Sequence, residues 1–149
     1  MMVETNVILL VEDDPNDLEL MLRVFRKHPL GKPIVVARDG VEALDYLLGV
    51  GSHAGRDATD QPQVVLLDLN LPLLDGLEVL RRIRANERLR RLPVVILTSS
   101  NHDSDKLAGY ALGANGYVRK PIDFQQFSDA VNRLGMYWVR VNVPPPSVS

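Results

Sequence analysis

Four short, unbroken apolar runs set the limits on what this chain can fold into: Val7 to Val11, Ile34 to Ala37, Val64 to Leu67, and Val94 to Leu97. None alternates polar with apolar, so each reads as a strand covered on both faces, the signature of a parallel sheet sandwiched between helices. A weaker fifth segment, Gly116 to Arg119, has the same length. Apolar residues at helical spacing separate these runs. The order strand, helix, strand, helix, repeated, is that of an α/β, doubly wound, five-stranded parallel sheet with helices on both faces.

The helical segments carry their own punctuation. The first is expected from Pro15 to His28, with Asp14 as N-cap, Pro15 in the first helical position, and Leu18, Leu22 and Phe25 as its inner stripe. Val41, Leu44, Leu47 and Leu48 mark a short second helix ended by Gly49, and Leu77, Leu80 and Ile83 mark the buried face of a third. Further helices are expected at Asp103 to Leu112, with Gly113 just past its end, and from about Asp123, where Phe124, Phe127, Val131 and Leu134 recur at helical spacing. Gly49 to Pro62 is rich in turn formers and reads as a solvated surface loop. The segment 1–140 is expected to be one domain and 141–149, with three successive prolines, an extended or disordered tail.

Composition narrows the function. The chain of 149 residues is 46% hydrophobic, enough for one ordinary core and short of a second, output domain. A net charge of −2 argues against a general nucleic-acid binder, which needs a basic excess. The arginines at 81, 82, 84, 88, 90 and 91 read as a solvated helix face, because Glu78 and Glu87 interleave and no aromatic residue accompanies them. There is no cysteine, hence no disulfide or thiolate metal site. The apolar runs are too short for a signal peptide or membrane span, so a cytoplasmic protein is expected.

The strand ends carry the chemistry. Ligand sites in such sheets form outside the C-terminal ends of the strands. Here the first strand hands over to Glu12, Asp13 and Asp14, the third to Asp68, the fourth to Thr98 and the fifth to Lys120. Asp68 follows a run so apolar that it must lie beside the core, where an unpaired carboxylate is costly. Glu12, Asp13 and Asp68 would suit a Mg2+ ion, which takes oxygen ligands and keeps several waters. Thr98 and Lys120 would place a hydroxyl and an ammonium against a phosphoryl group.

These residues, with Leu69, Asn70, Leu71, Pro72, Leu73, Leu74, Asp75, Gly76, then Ser99, Ser100 and Pro121, resemble the receiver domain of two-component response regulators over about Asn6 to Arg133. That fold is flavodoxin-like. The resemblance implies Asp68 as phosphoacceptor, Asp13 as direct Mg2+ ligand, Glu12 acting on the metal through water, and Asn70 offering it a backbone carbonyl. It further implies that Thr98 and Lys120 contact the phosphoryl group and that Thr98 and Tyr117 form the switch. Asn70 and Ser100 would influence phosphoryl lifetime, and the Lys120–Pro121 peptide would be cis. Leu71 and Leu74 stand where methionine is frequent around Pro72, which is a packing change.

The stretch Val11 to Asp17, the long loop after the second helix and a C-terminal segment containing Trp138 look like the single-domain regulators paired with bacterial and cyanobacterial phytochrome histidine kinases. The partner implied is a sensor histidine kinase of the bacteriophytochrome type. The apolar residues Met136, Tyr137, Trp138, Val139, Val141 and Val143 suggest a homodimer through the face of the 103–112 helix, the fifth strand and the last helix. The competing reading within the family is a degenerate receiver serving as a phosphorylation-independent scaffold, against which the complete acidic, Thr98 and Lys120 set argues. A phosphatase of the haloacid dehalogenase type would need a second acid where Asn70 stands. A flavin-binding module would need a phosphate-cradling loop where Glu12, Asp13 and Asp14 would repel the phosphate.

Overall fold

The computed structural model describes residues 7–27, 33–57, 60–98, 109, 111–119 and 123–135. Its strands are β1 (Ile8–Val11), β2 (Ile34–Ala37), β3 (Val64–Asp68), β4 (Val94–Thr98) and β5 (Gly116–Arg119). All pair in parallel, in the order β2-β1-β3-β4-β5. This is the doubly wound sheet expected from the apolar runs. Parity along the strands divides the core in two. Leu9 and Val11, Val65 and Leu67, Val94 and Ile96 face one hydrophobic cluster, and Ile8 and Leu10, Val64 and Leu66, Val95 and Leu97 face the other. Both faces are buried, which is why the runs do not alternate in polarity.

Helices α1 (Pro15–Lys27), α2 (Gly40–Leu48), α3 (Gly76–Ala85) and a final helix (Phe124–Gly135) cover these faces. On one side α1 packs against the final helix, where the Phe25 and Phe127 rings meet edge to face at 6.2 Å. The caps follow the local sequence. Asp14 Oδ1 accepts the N–H groups of Asn16 and Asp17 at 2.8 and 3.1 Å, so Asp14 caps α1 as expected. Asp39 caps α2 and Asp75 caps α3 through the N–H groups of Glu42 and Glu78.

Three expectations about buried faces need correction. In α1 the buried residues are Leu18, Met21, Val24 and Phe25, and Leu22 sits on the shoulder of the stripe. In α2, Val41 and Leu48 are exposed, while Ala43, Leu44, Tyr46 and Leu47 are buried. In α3, Val79 joins Leu80 and Ile83, with Leu77 half-buried.

The segment after α2 is also more than a solvated connection. It contains a short 3-10 turn, Gly51–His53, and is tied down by Arg56, which lies over the Tyr46 ring at 4.0 Å and donates to the carbonyls of Tyr46 and Asp60 at 2.6 and 2.7 Å. Burial pushes the Tyr46 hydroxyl above its ordinary pKa, with Arg56 pulling the other way. Arg84, expected on a solvated face, is half-buried. It donates to the carbonyls of Gly113, Arg90 and Leu92 and to Asn115 Oδ1, tying the end of α3 to the start of β4 and the turn before β5. Burial lowers its pKa from the usual guanidinium value. Among the described residues no helix is long and apolar enough to cross a membrane.

Candidate functional site

Strand register brings the acids together. Val11 pairs with Leu67, so Glu12, one residue on, stands level with Asp68. Asp68 pairs with Leu97, which places Thr98 one residue beyond it on the neighbouring strand. Glu12, Asp68 and Thr98 are 0%, 2% and 3% exposed, and Asp13 is open to solvent. The carboxylate oxygens of Glu12, Asp13 and Asp68 lie within 4.8 Å of one another.

The chain holds these groups in place with its own amides. Glu12 Oε2 accepts the N–H groups of Asp13 and Asp14 at 3.1 and 3.3 Å, turning the buried side chain back over the end of β1. Asp68 Oδ1 accepts the Asn70 N–H at 3.1 Å, which sets the rotation of that carboxylate. The loop from Leu69 to Asp75 doubles back on β3, and Gly76 closes it by donating to the Leu69 carbonyl at 2.9 Å. Only glycine fits there, because a Cβ at residue 76 would collide with the Asp68 carbonyl oxygen and stand 2.6 Å from Leu69 Cα. The position of Asp68 therefore depends on a residue eight places further on.

Three carboxylates at this spacing repel one another unless a cation lies among them. Two of the three are buried, which raises that cost. An all-oxygen donor set with one open, solvated side fits a hard divalent ion that retains water. Glu12, Asp13 and Asp68 are the residues that would hold it.

On the other side of the sheet, Thr98 has the parity of Val94 and Ile96, and Tyr117 packs against the cluster those two residues line. Tyr117 pairs with Ile96, two residues before Thr98. Its hydroxyl lies against Gly109, where a Cβ would collide with it. The structure thus puts Thr98 and Tyr117 on one face of the sheet, with Thr98 at the end of the strand beside the one that Asp68 ends. Asn70 is exposed on the loop after Asp68. Lys120, Pro121, Ser100, most of the 103–112 segment and the residues from Met136 onward, with the expectations attached to them, lie outside the described residues.

The family profile of the response regulator receiver domain matches residues 8–132. The chain belongs to that family. Relatives of similar length extend the match. The probable methanogenesis regulatory protein FilR2 of Methanothrix harundinacea is 41% identical over 93% of this chain and 87% of its own. The response regulator Rcp1 of Synechocystis is 35% identical over 93% of this chain and 92% of its own. Its Mn2+-bound crystal structure superposes with a TM-score of 0.83, covering 94% of this chain and 99% of that one. The bacteriophytochrome response regulator AtBRR is 49% identical, with a TM-score of 0.73 over 95% of this receiver and all of its own chain (100%). The receiver fold that the family resemblance implied is therefore the fold of this chain.

What residue-by-residue reading missed was structural support. Nothing in the sequence marked Arg84 as a brace or Leu73 as a residue of unusual backbone geometry, and Gly109 as the seat of the Tyr117 hydroxyl was marked only weakly. A glycine within a helical segment was the one available signal, for Gly109.

Proposed function

We propose that this receiver accepts a phosphoryl group from a histidine kinase onto Asp68 in a Mg2+-dependent reaction. The observation that carries the reading is the buried Asp68 carboxylate grouped with Glu12 and Asp13 at the strand ends, with Thr98 on the adjacent strand. An Asp68 oxygen attacks phosphorus in line with the leaving imidazole. The O–P bond forms as the P–N bond breaks, and the released pair stays on the ring nitrogen, which takes a proton from solvent. When bound, Mg2+ would neutralise charge on the phosphoryl oxygens and on the carboxylates. Asp13 would be a direct ligand, Glu12 would act through water, and Asn70 would add its backbone carbonyl. Thr98 donates its hydroxyl to a phosphoryl oxygen and Lys120 offsets that oxygen's charge, so the protein's work is positioning and electrostatics. Asn70 and Ser100 flank the group and govern access of the water that later hydrolyses the acyl phosphate.

The same reading gives the output. Movement of Thr98 toward the phosphoryl oxygens changes the space available to Tyr117, which shares its face of the sheet. A homodimer on the face of β5 and its neighbouring helices would carry the signal, with self-association read by sedimentation. The named likeness to a bacteriophytochrome regulator supports a phytochrome-type kinase as donor, and a cytoplasmic location goes with that partner. The test is labelling by an autophosphorylated phytochrome-type kinase with and without excess chelator. Wild type should be labelled only with Mg2+, and Asp68→Asn not at all. Undiminished labelling of Asp68→Asn would refute the assignment.

A further inference from the structure

We propose that Leu73 is a docking contact for the histidine-phosphorylated surface of the donor and sets the rate at which a protein donor, as opposed to a small one, phosphorylates this chain. The proposal rests on Asp68 being the phosphoacceptor.

Leu73 sits at the tip of the loop that Gly76 closes onto Leu69, as the central residue of a three-residue turn in which the Leu74 N–H donates to the Pro72 carbonyl at 2.7 Å. Among the described residues it alone, other than glycines, has a positive φ, at 68°. That left-handed conformation suits glycine or asparagine and is unfavourable for leucine. The side chain gains little burial in return, being 79% exposed, against 43%, 37% and 46% for Val41, Leu48 and Val50. Neither the backbone geometry nor the core accounts for a leucine here. A strained, exposed apolar residue beside a reactive group points to something that covers it.

The reaction says what that is. In-line transfer needs the donor imidazole within about 3.5 Å of the Asp68 carboxylate in its near-attack geometry, so the donor's surface must lie over the ends of β1 and β3. Leu73 is five residues from Asp68. Even fully extended, that chain would span at most about 18 Å, and the loop doubles back. A standard protein footprint of about 800 Å² has a radius of roughly 16 Å, so a donor reaching Asp68 also covers Leu73. An apolar side chain on the donor, close to its phosphohistidine, is the expected counterpart. A small donor such as phosphoramidate reaches Asp68 without touching the loop tip.

The test compares Leu73→Gly and Leu73→Asn, both suited to the left-handed geometry, with Leu73→Met, which keeps the apolar surface. The probes are phosphoramidate and whichever autophosphorylated kinase, from a panel of phytochrome-type histidine kinases, transfers fastest to wild type. The Gly and Asn variants should accept phosphate from the kinase about five- to tenfold more slowly, with Met near wild type. All three should be labelled by phosphoramidate at the wild-type rate and should melt within a few degrees of wild type. Wild-type kinase transfer to the Gly and Asn variants would overturn the proposal. So would equal slowing with both donors, which would show a distorted site, or the failure of every kinase while phosphoramidate labels the protein. Failure of phosphoramidate to label wild type would instead overturn the phosphoacceptor assignment itself.

Discussion

Replacing Gly76 with alanine sets two opposing effects against each other. Gly76 opens α3, and its φ is not in the left-handed range, so helix propensity alone would make Gly76→Ala stabilising by up to about 1 kcal/mol. The new Cβ, however, would overlap the Asp68 carbonyl oxygen and lie 2.6 Å from Leu69 Cα and 3.0 Å from the Asp68 carbonyl carbon. All three are backbone atoms, so no rotamer change relieves the crowding. Overpacking of this kind costs about 1 to 3 kcal/mol, and with backbone on both sides the upper half of that range applies. The net expectation is a loss of about 1 to 2 kcal/mol, a fall in Tm of roughly 2 to 8 °C for a domain of this size. Because the displaced atoms belong to Asp68, affinity for Mg2+ or Mn2+ should fall in the same variant. Calorimetric melting with Gly55→Ala as control separates the causes. Residue 55 has φ at 94° with nothing near its Cβ position, so it reports backbone strain without crowding. A Gly76→Ala protein as stable as wild type, with metal affinity intact, would refute the reasoning.

Three further outcomes follow from the same geometry. Asp13→Ala should weaken Mg2+ or Mn2+ binding by at least about tenfold in a calorimetric titration, and an unchanged affinity would remove Asp13 from the metal site. Arg84→Met keeps the aliphatic stem but removes the hydrogen bonds to Gly113, Arg90, Leu92 and Asn115, and should cost about 2 to 4 kcal/mol in urea unfolding; a loss under about 1 kcal/mol would show that the bonds contribute little net stability. Glu78, held down to about 2 by hydrogen bonds from Arg81 and Arg82, is depressed relative to its ordinary value of 4.5. Its stabilising contribution is therefore present above about 4.5 and is lost as pH falls toward about 2. A carboxyl NMR titration giving an ordinary midpoint would contradict that pairing.

The fold was legible because a parallel sheet covered on both faces demands runs such as Val64 to Leu67, which resemble little else. The acidic group was legible for a related reason: an acid that ends such a run has to be placed and compensated. Helix faces were harder to read. In α2 the stripe runs through Ala43 and Tyr46, a small residue and an amphipathic one, while the more conspicuous Val41 and Leu48 point outward. A branched apolar residue is a good marker of a strand and a poor one of helix orientation. The arginines misled differently. Five of the six are exposed as expected, and only the folded arrangement of β4 and the β5 turn shows that Arg84 reaches carbonyls on two separate segments. Leu73 could not be found at all, since backbone dihedrals at a loop tip are set by closure of the whole loop.

The central claim is that one carboxylate, Asp68, takes the phosphoryl group. An aspartyl phosphate reduced with borohydride becomes homoserine, so mass mapping of peptides from the labelled and reduced protein identifies the acceptor directly. Homoserine at residue 68, appearing only with Mg2+ and a phosphodonor and absent with excess chelator, is the expected result. Homoserine at residue 13, 5-hydroxynorvaline (the product of a reduced glutamyl phosphate) at residue 12, or phosphate recovered on any side chain other than residue 68, would contradict it.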